Sequence, residues 1–284
     1  MKQKVLAGEI LSCWILGAVP RFGLINYPFL MLTSPHPTFC PTNKLLIGLL
    51  LFTSSCAVYM PTTPGTPLVQ QGEIEITAAV RGASSLGIEA GAAWSPISHL
   101  LLTGESGLHY SVNKPNGKNY PSLHKQAGLG VGVYQVLGVS HPIYVAAVAG
   151  MGRASASVYS VELLGAPDKF EADYSKYYGQ IYAALQGRRF SDGLSLRGTH
   201  LNFQHLQLDG NPVSKAASFY VEPALFGRMG TGPWQIQSAI GLSVPNYTDP
   251  SVGNNHYINP TTFLISAGLV FKPGARKHHA ELTR

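Results

Sequence analysis

The sequence has little charge and, in the part that follows residue 70, no long apolar run. Only 12% of its residues are charged, although 45% are hydrophobic, whereas a soluble domain normally carries about twice that share of charge. A helical membrane protein would instead show uninterrupted stretches of roughly 20 apolar residues. Neither class fits. Low charge, 31 glycines and a weak but repeated alternation of side chains are typical of an outer-membrane β-barrel.

Cysteine is scarce, and its positions argue against a disulfide-rich or zinc-binding protein. The three cysteines, Cys13, Cys40 and Cys56, all lie in the first fifth of the chain. A disulfide framework would place cysteine pairs among the later loops, and a zinc site would need clustered Cys and His ligands. The scattered histidines show no metal-ligand spacing either: His124, His200 and His205. We therefore expect neither a metal nor another cofactor.

The formal net charge of +6 does not indicate a nucleic-acid partner. About half of it precedes Cys56, and the remainder contains no basic stripe interleaved with aromatic residues. The only local basic cluster is the tail that begins at Lys272 and ends at Arg284. We interpret this tail as a solvated periplasmic end and expect no binding to nucleic acid.

An export signal precedes Cys56. Lys44 is followed by the short apolar run of residues 45–52 and then by the small residues 53–55, a pattern typical of a cleaved signal. Because the run ends on cysteine, it resembles a lipoprotein signal, in which Cys56 would be acylated and become the first mature residue. Thr53 stands where that signal prefers leucine, which leaves cleavage by the ordinary signal peptidase as an alternative.

The remaining N-terminal residues do not form a spanning helix, because prolines and charges interrupt residues 1–43. A true translation start near Met31 would give a signal of ordinary length. The predicted division of the chain is an extension and export signal at 1–55 that is removed, a lipidated linker at 56–71, an outer-membrane barrel at 72–273 and a basic periplasmic tail at 274–284.

From residue 73 onward, side chains alternate between two faces, as in β-strands. In residues 234–244 the apolar side chains share one face: Trp234, Ile236, Ile240, Leu242 and Val244. The pattern predicts about ten strands, near residues 73–81, 86–94, 98–112, 123–137, 142–158, 174–190, 192–207, 216–229, 232–246 and 257–272. Short connections alternate with long ones, which favours an all-β, up-and-down antiparallel transmembrane barrel whose short turns are periplasmic. An even strand number would return both chain ends to the periplasm.

A soluble sandwich or lipocalin-like barrel also alternates, but with its apolar face inward. Here Gly and Ala dominate the polar face beside isolated charges, whereas a solvated outer face would carry Lys, Glu and Thr more densely. This favours the membrane interpretation. The strand near residues 192–207 does not fit this interpretation fully, because Leu194 and Leu196 lie on the opposite face to Leu201 and Phe203. This predicts a bulge or an extension beyond the membrane.

If the polar face lines the lumen, it carries a cluster of charged residues: Glu73, Glu75, Arg81, Glu89, Glu105, His109, Arg153, Lys176, Arg188, Arg197, Glu222 and Arg228. Buried charges need partners, so we expect one set of acids beside one set of arginines: Glu73, Glu89, Glu105 and Glu222 with Arg153, Arg188, Arg197 and Arg228. Small barrels hold side chains rather than a wide channel, which favours a lumen plugged by salt bridges. A narrow pore for small solutes is the alternative.

An enzymatic role is not predicted. Omptin proteases are ten-stranded barrels with acid and histidine pairs at the rim, but the rim acids here show no matching dyad: Asp168, Asp173, Asp209 and Asp249. His256 near Asp249 is interpreted as a loop residue. The glycine-rich residues 128–134 lie inside a predicted strand with no helix after it, so they do not form a phosphate loop. A rim-located hydrolase is the least favoured alternative.

Short motifs at both ends of the predicted barrel carry a family resemblance. The opening, from Tyr59-Met60-Pro61 through Pro67-Leu68 to Gly72-Glu73, resembles that of a family of uncharacterised outer-membrane β-barrel lipoproteins of Gram-negative bacteria. The closing stretch Ile265–Pro273 is similar to the final strand by which such barrels are recognised for assembly. The tail beyond Phe271 departs from this pattern, because many barrels end at that aromatic residue.

The resemblance covers residues 56–273 and implies a fold and a location. It implies a barrel in the cell outer membrane, lipid-anchored and membrane-spanning, with outer-membrane lipid and the barrel-assembly machinery as partners. Fold alone does not specify function. We therefore expect a structural or surface-interaction role, with the surface partner unknown.

Overall fold

The computed structural model describes residues 58–82, 86–114, 117–138, 141–159, 167–214, 217–246 and 261–273. The described residues form these strands: β1 (Ile74–Gly82), β2 (Gly87–Trp94), β3 (Leu100–Asn113), β4 (Tyr120–Leu137), β5 (Ile143–Tyr159), β6 (Lys169–Gln186), β7 (Phe190–Leu208), β8 (Asn211–Pro212), β9 (Ala217–Met229), β10 (Trp234–Pro245) and β11 (Thr262–Phe271). Cys56 and the tail 274–284 lie outside the described residues. In the described part of the chain, no helix is both long and apolar enough to cross a membrane.

The strands close into a ring. Consecutive strands pair antiparallel, β6 pairs with β7, β7 pairs with β9, and β1 pairs with β11. The two-residue strand β8 pairs only with the end of β7 and stands outside the ring. The result is a closed ten-strand antiparallel barrel, which confirms the predicted fold class and strand number. Closure satisfies the backbone groups at both edges of each of these ten strands.

The two ends of the barrel differ in the length of their connections. At one end, here called the turn end, the strands are joined by residues 95–99, 138–142, 187–189 and 230–233. At the other, here called the loop end, the connections are 83–86, 114–119, 160–168, 209–216 and 246–261. Strand β1 begins and strand β11 ends at the turn end. Short turns on one side and mostly longer connections on the other are what outer-membrane barrels show.

The apolar face points outward, as the alternation predicts. On β10, Trp234, Ile236 and Ile240 are 60%, 51% and 44% exposed, whereas Ala239 and Ser243 are buried. Outward aromatic side chains form one belt at the turn end and another towards the loop end: Trp94, Phe190, Trp234 and Phe271 in the first, and Tyr110, Tyr177 and Phe219 in the second. An apolar band between two aromatic belts matches the surface that a membrane barrel presents to lipid.

The predicted irregularity in β7 has a different cause and position. Leu194 and Leu196 are exposed, while Leu201 and Phe203 are buried, and the register with β9 runs through this stretch without a shift. The apolar residues change face because the interior itself is apolar at the loop end. The register with β6 shifts where Asp173 pairs with His205 and Tyr174 with Phe203. The extra residue is therefore Gln204 of β7, so β7 does contain a bulge, but it lies beyond Phe203 and not where it was predicted.

Candidate functional site in the barrel interior

The segment before β1 lies inside the ring. Residues 58–70, here called the lumen segment, contain no helix or strand, and most of their side chains are buried. Their partners come from strands on all sides of the ring: β1, β2, β4, β5, β6, β7 and β9. We expected a linker over residues 56–71; its described part runs through the barrel instead.

Proline spacing gives this segment a suitable backbone. Pro61, Pro64 and Pro67 recur every third residue, which matches the three residues per turn of a polyproline II helix. That conformation has no internal hydrogen bonds, and proline lacks an N–H. The carbonyl groups of such a chain are therefore free to accept hydrogen bonds from the inward side chains of the surrounding strands, here called the wall. At about 3.1 Å per residue, the segment reaches roughly 40 Å, enough to cross a hydrocarbon band of about 25 Å.

The wall supplies donors for these carbonyls along the whole segment. The Arg81 guanidinium donates to the carbonyl of Pro61. The other pairs, donor first, are Gln126 Nε2 to Met60 (3.0 Å), Gln180 Nε2 to Gly65 (2.8 Å), Arg228 Nη2 to Thr66 (2.6 Å), Tyr182 OH to Pro67 (2.7 Å), Lys272 Nζ to Leu68 (2.5 Å) and Tyr144 OH to Val69 (3.1 Å). Buried backbone groups need such partners, so wall and segment satisfy each other.

Carboxylates of the wall accept hydrogen bonds from the same segment. Glu89 accepts the Thr63 backbone N–H at 3.1 and 3.2 Å from its two oxygens. Glu75 accepts the Leu68 N–H at 3.2 Å. The segment is thus held through both its carbonyl and its N–H groups, a set of contacts that fixes its position along the barrel axis.

An apolar cluster holds each end of the lumen segment. At the loop end, Val58 and Tyr59 pack with Phe170, Tyr174, Leu201, Phe203, Leu206 and Tyr220. At the turn end, Leu68 and Val69 pack with Leu101, Tyr134, Tyr144, Tyr182 and Phe226. The rings of Tyr134 and Tyr144 stack with centroids 5.2 Å apart. The segment therefore runs from the loop end to the turn end before β1 begins.

Glu105 of β3 is the centre of one ionic group. Lys176 Nζ lies 2.5 Å and Arg197 Nη2 lies 3.0 Å from its two oxygens. Arg197 also donates to Gln180 and, through Nη1, to the Thr62 hydroxyl at 3.0 Å. A planar guanidinium can make these bonds at once because its five N–H donors point in fixed directions. Arg197 therefore joins β3, β6 and the lumen segment.

Glu75 of β1 is the centre of a second ionic group. Arg228 of β9 binds it through two nitrogens at 2.7 and 2.8 Å, and Lys272 Nζ lies 3.5 Å away. We expected Lys272 to begin a solvated tail, but its ammonium points into the barrel. The reason is parity, because Lys272 continues the inward face of the buried Val270.

Two further carboxylates are satisfied in other ways. Glu89 lies 3.7 Å from the Arg81 guanidinium and 3.9 Å from His109 Nε2. Glu222 is fully buried and accepts hydrogen bonds from three hydroxyl groups: Tyr59 (2.9 Å), Thr199 (2.9 Å) and Ser243 (3.0 Å). Within the described residues, no ion pair to Glu222 is formed.

Most of the predicted charged residues meet in the interior, and three do not. Those brought together are Glu75, Arg81, Glu89, Glu105, His109, Lys176, Arg197, Glu222 and Arg228. Arg153 is exposed on the outer face together with Met151, because it is the next residue on β5, Ala154, that faces inward. Arg188 is exposed in a turn-end connection. Glu73 precedes β1 at the turn end, where it accepts the Gln70 N–H at 2.8 Å. Of the ion pairs expected between the two sets of residues, the one between Glu105 and Arg197 forms.

The sequence analysis missed the uncharged donors of the interior. On β6 the inward face carries Tyr174, Lys176, Tyr178, Gln180 and Tyr182 in strict alternation. Five consecutive inward positions with hydrogen-bonding side chains indicate an interior that contains a polar partner for them. The three-residue spacing of prolines before β1 indicates that this polar partner is the extended backbone of the lumen segment.

Little space remains between wall and segment. A cavity of ≈ 70 Å³ lies beside Gly65 and Thr66, bounded by Thr77, Glu105 and Gln237. It has room for a few water molecules only. Among the residues that the structure describes, no three His, Cys, Asp or Glu side chains form a metal-binding group.

No family model matches the chain, and no curated protein sequence matches it. Three solved structures are similar in fold, each at 8% identity. They are the outer membrane channel from Pseudomonas putida F1 (TM-score 0.41, 75% of this chain and 100% of that one), the translocator domain of the autotransporter NalP from Neisseria meningitidis (0.41, 71% and 89%) and LpxR from Salmonella typhimurium (0.36, 70% and 99%). All three are Gram-negative outer-membrane barrels. At this identity the likeness concerns the fold alone.

The comparison corrects one prediction. LpxR is an outer-membrane enzyme, a lipid A deacylase. Our prediction that this chain is not an enzyme is therefore contradicted. The match assigns no reaction to this chain, since shared architecture does not carry function.

Proposed function

We propose that this protein is a closed barrel of the outer membrane with a structural or surface-interaction role, in which the lumen segment and the wall charges together plug the interior. The observation that carries the proposal is the set of hydrogen bonds from the wall to the carbonyls of residues 60, 61 and 65–69. Each bond satisfies a group that would otherwise be buried without a partner.

The electrostatics of the interior support a permanently seated segment. Arg81 and Arg228 are almost fully buried, and each uses the segment as an acceptor in addition to its carboxylate partner. Removing the segment would leave donors of several buried cations unsatisfied, at a cost of about 1–3 kcal/mol for each group. A salt-bridged wall alone would not fill the bore; the segment occupies what the wall leaves open.

The orientation follows from the connections, with the turn end in the periplasm and the loop end at the cell surface. Val58, the first described residue of the lumen segment, packs in the loop-end cluster. If Cys56 is acylated, its lipid would then attach at the surface mouth, since two residues span at most about 7 Å. For a lipidated Cys56 the proposal therefore differs from the expectation that both chain ends return to the periplasm.

Conductance across planar bilayers tests the proposal. We expect no steady conductance from the full-length protein, and a steady conductance after deletion of residues 58–70. Because the deletion could prevent assembly, a second variant combines Tyr59→Ala with Leu68→Ala, which loosens both ends of the segment and leaves the wall intact. The matched control combines Tyr110→Ala with Leu86→Ala on the outer face, where both side chains are exposed.

A steady wild-type conductance equal to that of the deletion would overturn the plug and favour the alternative, a narrow pore for small solutes. In the described part of the chain, the cavity beside Gly65 is the feature that would favour such a pore. Its size admits water but no continuous path for a solute. Absence of steady conductance in both the deletion and the Tyr59→Ala/Leu68→Ala variant, when these assemble, would also contradict the proposal.

A further inference from the structure

Two cations stand on the outer face of the barrel. Lys125 on β4 and Arg153 on β5 are both exposed. Because Ala127 pairs with Arg153 and Lys125 pairs with Ser155, the two cations are diagonal neighbours on one face of the sheet, about 7–8 Å apart between Cα atoms. Their side chains can therefore reach a common anion.

Their level along the barrel is that of the loop-end aromatic belt. Met151, two residues before Arg153 on the same face, pairs with Tyr177 of that belt. Arg153 thus lies two residues closer to the loop end than the position that pairs with Tyr177. Lipid headgroups would meet the barrel at this level. On β9 and β10 the outward residues near the loop end are apolar: Phe219, Val221, Leu242 and Val244. The cationic pair is a local feature of β4 and β5.

These cations lack partners of their own. Within the described residues, neither Lys125 nor Arg153 forms an ion pair or a side-chain hydrogen bond. Asp173 on β6 is a diagonal neighbour of Arg153 on the same outer face, since it pairs with Ser155, but it forms no ion pair with either cation. A charge on the lipid-facing surface is unfavourable near the middle of the membrane and tolerated near its interface. At the interface, each Lys or Arg attracts anionic headgroups.

An apolar groove lies beside Arg153 and runs across neighbouring strands from β2 to β6. Small side chains on β3, β4 and β5 leave a depression of ≈ 700 Å³ in the outer face. Its lining includes Gly104, Ala127 and Gly152 and the larger side chains of Leu129, Met151 and Tyr177. A groove of this composition accommodates a hydrocarbon chain, while the cations above it accommodate a phosphate.

We propose that Lys125 and Arg153 bind a phosphate of a phosphorylated glycolipid in the outer leaflet, with one acyl chain of that lipid in the groove. Arg offers a planar fork for phosphate oxygens and Lys a flexible point charge, so the pair can hold one phosphate from two sides. The site rests on the outer-membrane placement proposed above. It does not depend on the closed lumen, so a conducting wild-type barrel would leave it standing.

Native mass spectrometry of the full-length protein in detergent tests this site. The probes are lipid A with both phosphates, the same lipid after removal of its phosphates, and phosphatidylglycerol. The variants are Lys125→Gln, Arg153→Gln, the double variant and Arg153→Lys, with Arg188→Gln at the turn end as the charge-matched control. All substituted side chains are exposed, so the barrel is expected to fold in each case, as heat-modifiable gel mobility will check.

We expect each single glutamine variant to bind phosphorylated lipid A roughly fivefold more weakly, and the double variant roughly thirtyfold more weakly. Arg153→Lys should retain most of the affinity, and Arg188→Gln should match the wild type. Equal binding of the dephosphorylated lipid, or an unaffected double variant, would overturn the phosphate site. Equal affinity for phosphatidylglycerol would overturn its assignment to the outer-leaflet glycolipid.

Discussion

Arg228 and Glu75 form a two-nitrogen ion pair, at 2.7 and 2.8 Å, between strands that are not neighbours in the sheet. Strands β10 and β11 lie between β9 and β1, so this pair reaches across the interior and not along the wall. The same guanidinium donates to the carbonyl of Thr66 at 2.6 Å. One side chain thus ties two walls and the lumen segment together.

The two members of this pair should not be equally costly to remove. Glu75→Gln leaves Arg228 and Lys272 buried without their carboxylate, so we expect it to lower the free energy of unfolding by about 3–5 kcal/mol. Arg228→Gln should cost less, because Glu75 keeps Lys272 at 3.5 Å and the Leu68 N–H at 3.2 Å. Urea unfolding in lipid vesicles measures both. Equal losses, or a larger loss for Arg228→Gln, would contradict this account of the group.

The inward packing around Tyr178 predicts a contrast between two glycines. A Cβ added at Gly150 would fall on the ring of Tyr178, which lies under Arg197 with the guanidinium carbon 4.5 Å from the ring centre. We expect Gly150→Ala to destabilise the barrel by about 1–3 kcal/mol through overpacking. At Gly179, on the neighbouring strand, a Cβ meets nothing within 4 Å. Gly179→Ala is the matched control and should have little effect in the same urea experiment.

The sequence predicts those features of the barrel that depend on neighbouring residues alone. The alternation in 232–246 and 257–272 predicted β10 and β11 to within a few residues, because the pleat alone places successive side chains on opposite faces. The outward direction of Trp234 and Ile240 followed from the same pattern. Arg153 was misplaced because β5 carries small residues on both faces, so parity there does not distinguish inside from outside.

The occupied lumen could not be predicted in the same way. Its contacts join residues far apart in sequence, such as Gln180 to Gly65 and Tyr59 to Glu222, and no local pattern specifies such pairs. The inward direction of Lys272 could have been predicted, since it lies on the same face of the chain as the buried Val270. Its partners Leu68 and Glu75 emerge only when the ring closes.

Depth in the membrane gives a separate test of the outward face. Ile240 lies mid-strand on β10, so Ile240→Arg should cost about 2–4 kcal/mol of unfolding free energy in vesicles. Val244, on the same face but next to the loop-end terminus of β10, should tolerate arginine at about 0–1 kcal/mol. Equal tolerance at both positions would favour a soluble barrel.

Processing at Cys56 remains a prediction, since that residue precedes the described part of the chain. Its place directly after an apolar run and three small residues predicts an acylated N-terminal cysteine. Mass spectrometry of the mature protein should find diacylglycerol on Cys56 and none in a Cys56→Ser variant. An unmodified Cys56, or a mature chain that starts elsewhere, would contradict lipidation without affecting the barrel.

Hydrogen exchange of the lumen segment in the wild-type protein tests the central claim most directly. The N–H groups of Thr63 and Leu68 donate to buried carboxylates, and most of the segment is buried, so these amides should exchange only when the segment leaves its place. Mass spectrometry of peptides that cover residues 58–70 should show exchange as slow as that of β6 and far slower than that of the loop-end connections. Complete exchange within seconds, as for a free linker, would contradict a segment seated in the lumen.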